Sequence, residues 1–113
     1  MKKKDIVYIK HIRDSIKLIC EYTENLDKIE FIINDIIQDA VIRRIEVIRE
    51  AAKNVSVEFT DKYPEVPWKK IAGMRDKLIH GYFNVDIERV WNVIIKDIPA
   101  LKKQIEDIID NED

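Results

Sequence analysis

Apolar residues recur along this chain at spacings of three and four, the period of a helix that buries one side. The first such series, Ile6, Ile9, Ile12, Ile16, Ile19 and Cys20, predicts a helix capped at Asp5 and running to about Thr23. Asn25-Leu26-Asp27 breaks the pattern, and a short helix follows over roughly residues 28–33. Asn34 or Asp35 starts a third helix that continues to about Val55. Its broad apolar face comprises Ile36, Ile37, Ala40, Val41, Ile45, Ile48, Ala51 and Ala52. Arg44 interrupts that face, a hint of a wet seam or a partner surface. Ser56 can cap a short helix reaching Tyr63, after which Pro64 and Pro67 stiffen the connection. Pro67 suits the first position of the next helix, with Trp68 anchoring it. Beyond Gly81, Asn84 or Asp86 can cap a final helix through Trp91 and Ile95, which Pro99 kinks or restarts. An amphipathic tail continues through Leu101, Ile105 and Ile108. With no strand alternation, internal repeat or glycine-rich phosphate loop, the expected class is all-α: an up-and-down bundle of about five helices.

Composition sharpens this picture. A chain of 113 residues fits a single domain, 1–113, small enough for a dimer interface to add usefully to its core. Hydrophobic residues at 46% beside only two glycines and three prolines describe a packed helical protein rather than a disordered tail. The net charge of −2 gives no global footprint for a nucleic-acid binder, so any such contact has to be local. Two basic groups are available: Lys2-Lys3-Lys4, which reads as a solvated end, and Lys69-Lys70 with Arg75 and Lys77. A lone cysteine, Cys20, excludes a disulfide framework and reads as a small buried hydrophobe. His11, near the edge of a polar side, has no second ligand at metal spacing. Lys10, His11, Arg13, Asp14 and Lys17 interrupt any secretory signal, and no segment is apolar enough for a membrane span, so a soluble cytoplasmic protein is expected.

The chemistry concentrates in Arg75-Asp76-Lys77-Leu78-Ile79-His80-Gly81-Tyr82. A guanidinium grips a phosphate with two hydrogen bonds, and an imidazole moves protons near neutral pH. Tyr82 adds a hydroxyl that can bind substrate or be modified. At about 100° per residue, Trp68, Ile71, Leu78, Ile79 and Tyr82 share one arc with Arg75, which places a charge inside an apolar stripe. His80 falls about 140° round from Arg75 on an ideal helix, so the two meet only through distortion at the Gly81 terminator or across a symmetric dimer. Each residue also has a plain reading: a stacked structural arginine, a histidine set against the helix dipole, and a core tyrosine. Arg43, Glu46 and Glu50 lie on one side of the third helix, either as a solvated ion-pair ladder or as groups that orient Arg75 and line its cleft.

The segment resembles the R-x4-H-x-Y signature of the HepT-like branch of the HEPN superfamily, small all-helical proteins paired with minimal nucleotidyltransferases. The likeness extends through Gln38–Arg43 and Ile45–Ala52, then Tyr63–Trp68 and Ile71–Arg75, then Val90-Trp91 and Asp97–Leu101. One departure is Arg49, where the family pattern has a glycine before Glu50-Ala51-Ala52. The resemblance implies a metal-independent endoribonuclease without a cofactor, the toxin of a toxin–antitoxin pair. It implies internal attack of a ribose 2′-hydroxyl on the adjacent phosphate, with His80 as general base or acid and Arg75 on the phosphate. Tyr82 matches the tyrosine to which the partner nucleotidyltransferase adds AMP. Glu46, Glu50, Arg43 and Lys77 are the candidate supporting residues. The competing reading is a non-catalytic dimer that holds a nucleotide or the nucleotidyltransferase.

Overall fold

The computed structural model describes residues 3–74 and 86–113. Two long helices, α1 (Lys3–Thr23) and α3 (Asp35–Asn54), form its spine. Ile9, Ile12, Ile16 and Ile19 of α1 interlock with Val41, Ile45 and Ile48 of α3, all at most 3% exposed. Burying side chains of this size contributes about 1.5–3 kcal/mol each, which far outweighs the helix propensity that isoleucine lacks.

Asp5 does not cap α1 as the sequence suggests. It lies inside the first turn, and its carboxylate accepts from the Ser56 backbone N–H at 2.9 Å and from the Ser56 hydroxyl at 2.7 Å. The beginning of α1 is therefore tied to the residue just beyond α3, and the two helices run antiparallel. Only 4% exposed, Asp5 is tolerated because both carboxylate oxygens are satisfied. Ser56 serves twice, since its Oγ also accepts from Phe59 N at the start of α4 (Val57–Lys62).

Between α1 and α3, Asn25 takes a left-handed φ of 68° and turns the chain into α2 (Lys28–Ile32). Asp27 and Glu30 close a capping box over its first turn. Gln38, buried within α3, donates from its side-chain nitrogen to the carbonyls of Phe31 at 2.9 Å and Ile32 at 2.8 Å, so it satisfies the end of α2. The buried stripe of α3 accordingly runs through residues 38, 41, 45, 48, 51 and 52. Ile36 is about 180° from Ile45 at 100° per residue, and it stands 82% exposed rather than on the buried face. Cys20 is half-buried, less enclosed than expected.

Asp86 caps α6 (Ile87–Asn92), accepting from Arg89 N at 3.1 Å. Pro99 stands where the last helix restarts, as the sequence suggests. Its ring would clash with the carbonyl of Ile95 in a regular α-helix, and the chain widens into a π-turn over Val93–Asp97 before α7 (Ile98–Glu112). The Ile98 N–H reaches back five residues to Val93 O, the signature of that widening. All regular structure among the described residues is helical, which confirms the all-α bundle. None of these helices is long and apolar enough to cross a membrane.

The end of α7 is fastened to the end of α4. Glu112 accepts from Lys62 Nζ at 2.8 Å and from the Tyr63 hydroxyl, which itself accepts from Asn111 Nδ2 at 2.7 Å. Bonds from Lys62 and then Tyr63 hold the Glu112 carboxyl below its ordinary range. A carboxylate with a lowered folded pKa contributes stability above its unfolded value and loses it as pH falls through the folded one. Glu112→Gln should therefore lower the melting temperature at neutral pH, and the gap to wild type should close below about pH 4.5. Parallel melts at descending pH test this; a gap that persists undiminished in acid would mean that Glu112 acts through packing alone.

Candidate functional site

Arg75, Lys77, His80 and Tyr82 lie outside the described residues, as do Leu78, Ile79, Gly81 and Asn84. The structure instead fixes the chain on either side of them. Pro67 is the N-cap of α5 (Trp68–Ala72), one position earlier than expected. Trp68 anchors the helix by donating from Nε1 to Tyr63 O at 2.9 Å. Ile71 and Met74 are buried, at 2% and 7% exposure. The helix stops at Gly73, whose φ and ψ of −91° and 2° leave the helical region. Gly73 therefore interrupts the apolar arc drawn from Trp68 to Tyr82, and the angular positions of Trp68 and Ile71 cannot be carried across to Arg75 by simple counting.

Arg43, Glu46 and Glu50 do come together, and they meet groups that their sequence neighbourhood does not predict. With Tyr8, His11 and Asn54 they line a cleft of about 400 Å³ between α1 and α3. His11 is exposed, as expected, with its ring edge-on to Tyr8 at 6.4 Å between centroids. The carboxylates do not form a ladder with Arg43. They pair with Arg49, whose guanidinium lies 3.4 Å from Glu46 and 3.2 Å from Glu50. Arg49, the residue that replaces the expected glycine, thus sits between two acids with a side chain only 16% exposed. Arg44 is half-buried.

A second cleft adjoins the two ends of the motif segment. Lys70, Met74, Arg89, Asn92, Lys96 and Asp97 line about 280 Å³ between α5 and the α6–π segment. Lys70 pairs with Asp97 at 3.3 Å, and Arg89 Nε lies 3.4 Å from Asp86. Lys69 and Lys70 were legible as basic residues beside the motif, whereas Arg89 and Lys96 were missed. The available signal was their seven-residue spacing, two turns along the helix that leaves the motif. Of the N-terminal lysines, Lys4 is exposed.

The family model for ribonuclease HepT-like proteins matches residues 12–108. The chain belongs to the ribonuclease HepT-like family. Among its relatives is a Methanocaldococcus jannaschii protein named "Gamma-glutamylcyclotransferase and putative RNase", 49% identical over 100% of this chain. The chain spans about half of that relative, 51% of its length. A "Putative RNase" of Caldanaerobacter subterraneus subsp. tengcongensis is 41% identical over 93% of this chain and 94% of its own. A "Probable ribonuclease HepT" of Thermococcus cleftensis is 42% identical over 94% of this chain and 96% of its own. No solved structure matches significantly. The match spans positions 75, 80 and 82.

Proposed function

We propose that this chain is a single-domain, metal-independent endoribonuclease that works as a homodimer and as the toxin of a toxin–antitoxin pair. The observation that carries the reading is the family match across residues 12–108, which takes in the whole R-x4-H-x-Y segment. In this reading Arg75 grips the scissile phosphate with two hydrogen bonds and stabilises the charge that develops on it. His80 moves the proton, as base toward the 2′-hydroxyl or as acid toward the departing 5′-oxygen. The 2′-oxygen bonds to phosphorus as the phosphorus–5′-oxygen bond breaks. The products are a 2′,3′-cyclic phosphate and a free 5′-hydroxyl, and the proton lost at one oxygen is balanced by one gained at the other.

Tyr82, two residues beyond His80, is the proposed acceptor of AMP from a cognate nucleotidyltransferase antitoxin. An added phosphate there would compete with RNA for Arg75 and silence the enzyme. The test is cleavage of end-labelled RNA by the purified chain in excess chelator, with analysis of the new termini. Cyclic phosphate ends formed without added metal are expected, and so is their loss after co-expression with the nucleotidyltransferase, with AMP on Tyr82 by intact-mass and peptide spectrometry. RNA that is bound but never cut would return the protein to a non-catalytic nucleotide-binding or nucleotidyltransferase-binding dimer.

A further inference from the structure

The cleft between α5 and the π-turn is open and basic, and it is continuous in chain with the motif. Arg75 follows directly in the chain on Met74, which lines the cleft. On the far side Asp86, which ends the motif segment, caps the helix that carries Arg89 and Asn92. At about 280 Å³ the space falls just below the usual range for enclosed small-ligand pockets. An open trough of this size suits a strand passing across it better than a small molecule held within it.

The π-turn forms one wall of the trough. Hydrogen bonding to the fifth preceding residue brings positions five apart toward one face. Asn92 and Asp97 accordingly line the same cleft, with Val93 as floor and Lys96 at the rim. Lys96 is exposed and has no carboxylate partner among the described residues. Lys70 is held loosely: its side chain is 55% exposed, and an exposed pair such as its bond with Asp97 is weak. A phosphate oxygen can therefore replace Asp97 as the partner of Lys70 at little cost. Asn92 supplies neutral donors and acceptors within the same trough.

We infer that Lys70, Arg89 and Lys96, which line one cleft together with Met74, form a subsite for the phosphodiester backbone of single-stranded RNA next to the cut. This rests on the ribonuclease reading and adds to it the path of the substrate away from Arg75. The subsite reads phosphates rather than bases, so it strengthens binding without selecting sequence.

The experiment uses the full chain carrying His80→Ala, to keep RNA intact, with a fluorescein-labelled oligouridylate and fluorescence anisotropy across a salt series. Lys96→Gln should raise Kd several-fold and flatten the plot of log affinity against log salt by about 0.7, the value for one single-strand phosphate contact. Adding Lys70→Gln should flatten it by about as much again. Lys103→Gln, an equal charge change on the exposed side of α7, should leave both quantities unchanged. An unchanged slope in Lys96→Gln, or an equal fall in Lys103→Gln, overturns the subsite while cleavage by the wild-type chain leaves the ribonuclease reading standing. Failure of the wild-type chain both to bind and to cut RNA would remove the two together.

Discussion

His80→Ala should abolish RNA cleavage while leaving the thermal melt nearly unchanged. A positioned proton donor or acceptor contributes about 10²–10⁴-fold to such a reaction, so initial rates should fall by that order. In the proposed reading His80 serves chemistry rather than packing, which is why the melt is the appropriate control. Arg75→Lys should also lose most activity, because an ammonium keeps the charge but not the planar fork that holds two phosphate oxygens at once. The pair of substitutions separates roles. Arg75→Lys should weaken RNA binding as well as turnover, whereas His80→Ala should slow turnover and leave binding largely intact. Undiminished cleavage by the His80→Ala protein would end the assignment of that residue to catalysis, whatever the fate of Arg75.

The helix boundaries were legible because their signals are local. Asp27, Asn34, Ser56 and Asp86 each cap the helix that begins beside them, and each accepts from a backbone N–H three residues ahead. Such a bond depends on a few neighbouring dihedrals, so a short stretch of sequence contains everything needed to anticipate it. Asp5 looked the same and behaved differently. Its partner is 51 residues away, and a carboxylate beside a helix start gives no sign of whether its own first turn or a distant serine will claim it. Gln38 was misjudged by omission for a related reason: a polar residue within an apolar stripe is buried only if remote carbonyls need it, as those of Phe31 and Ile32 do. Pro99 announced a disturbance, but not that a π-turn would absorb it.

The candidate site divides along the same line. Arg75, His80 and Tyr82 were conspicuous as residue types at fixed spacing, and the family match then covered them. The company of Arg43, Glu46 and Glu50 was not, since Tyr8 and His11 reach that cleft only through the antiparallel register of α1 on α3. Spacing along one helix also paired those acids with the wrong arginine: Arg43 and Arg49 are each three residues from Glu46, but only Arg49 adopts the reach that joins both carboxylates. Arg89 and Lys96 escaped attention because their significance depends on α5 lying opposite them, a tertiary fact.

Phe31→Ala should be the most destabilising single change among the described residues, at about 3–5 kcal/mol. α2 has five residues, far below the length at which a helix persists alone. It is kept in place by the Asp27–Glu30 box, by the Gln38 side chain on its last carbonyls, and by Phe31, which is completely buried. The Phe31 ring packs on Trp91 with centroids 5.3 Å apart, and this contact joins the corner between α1 and α3 to α6, the helix that leaves the motif segment. Truncation removes the ring's transfer energy, leaves a cavity, and forfeits an aromatic pair worth about 0.5–1.5 kcal/mol. Against a typical domain stability of about 5–15 kcal/mol, that loss consumes a large share. Urea denaturation should show the fall in stability, and the fluorescence of Trp91 should shift as its ring loses its neighbour. Phe31→Leu should recover much of the loss, because it refills the volume without restoring the ring contact. A cost below about 1 kcal/mol for Phe31→Ala would instead mean that the α2 corner collapses freely onto Trp91, and the rigid link from that corner to the helix beyond the motif would have to be abandoned.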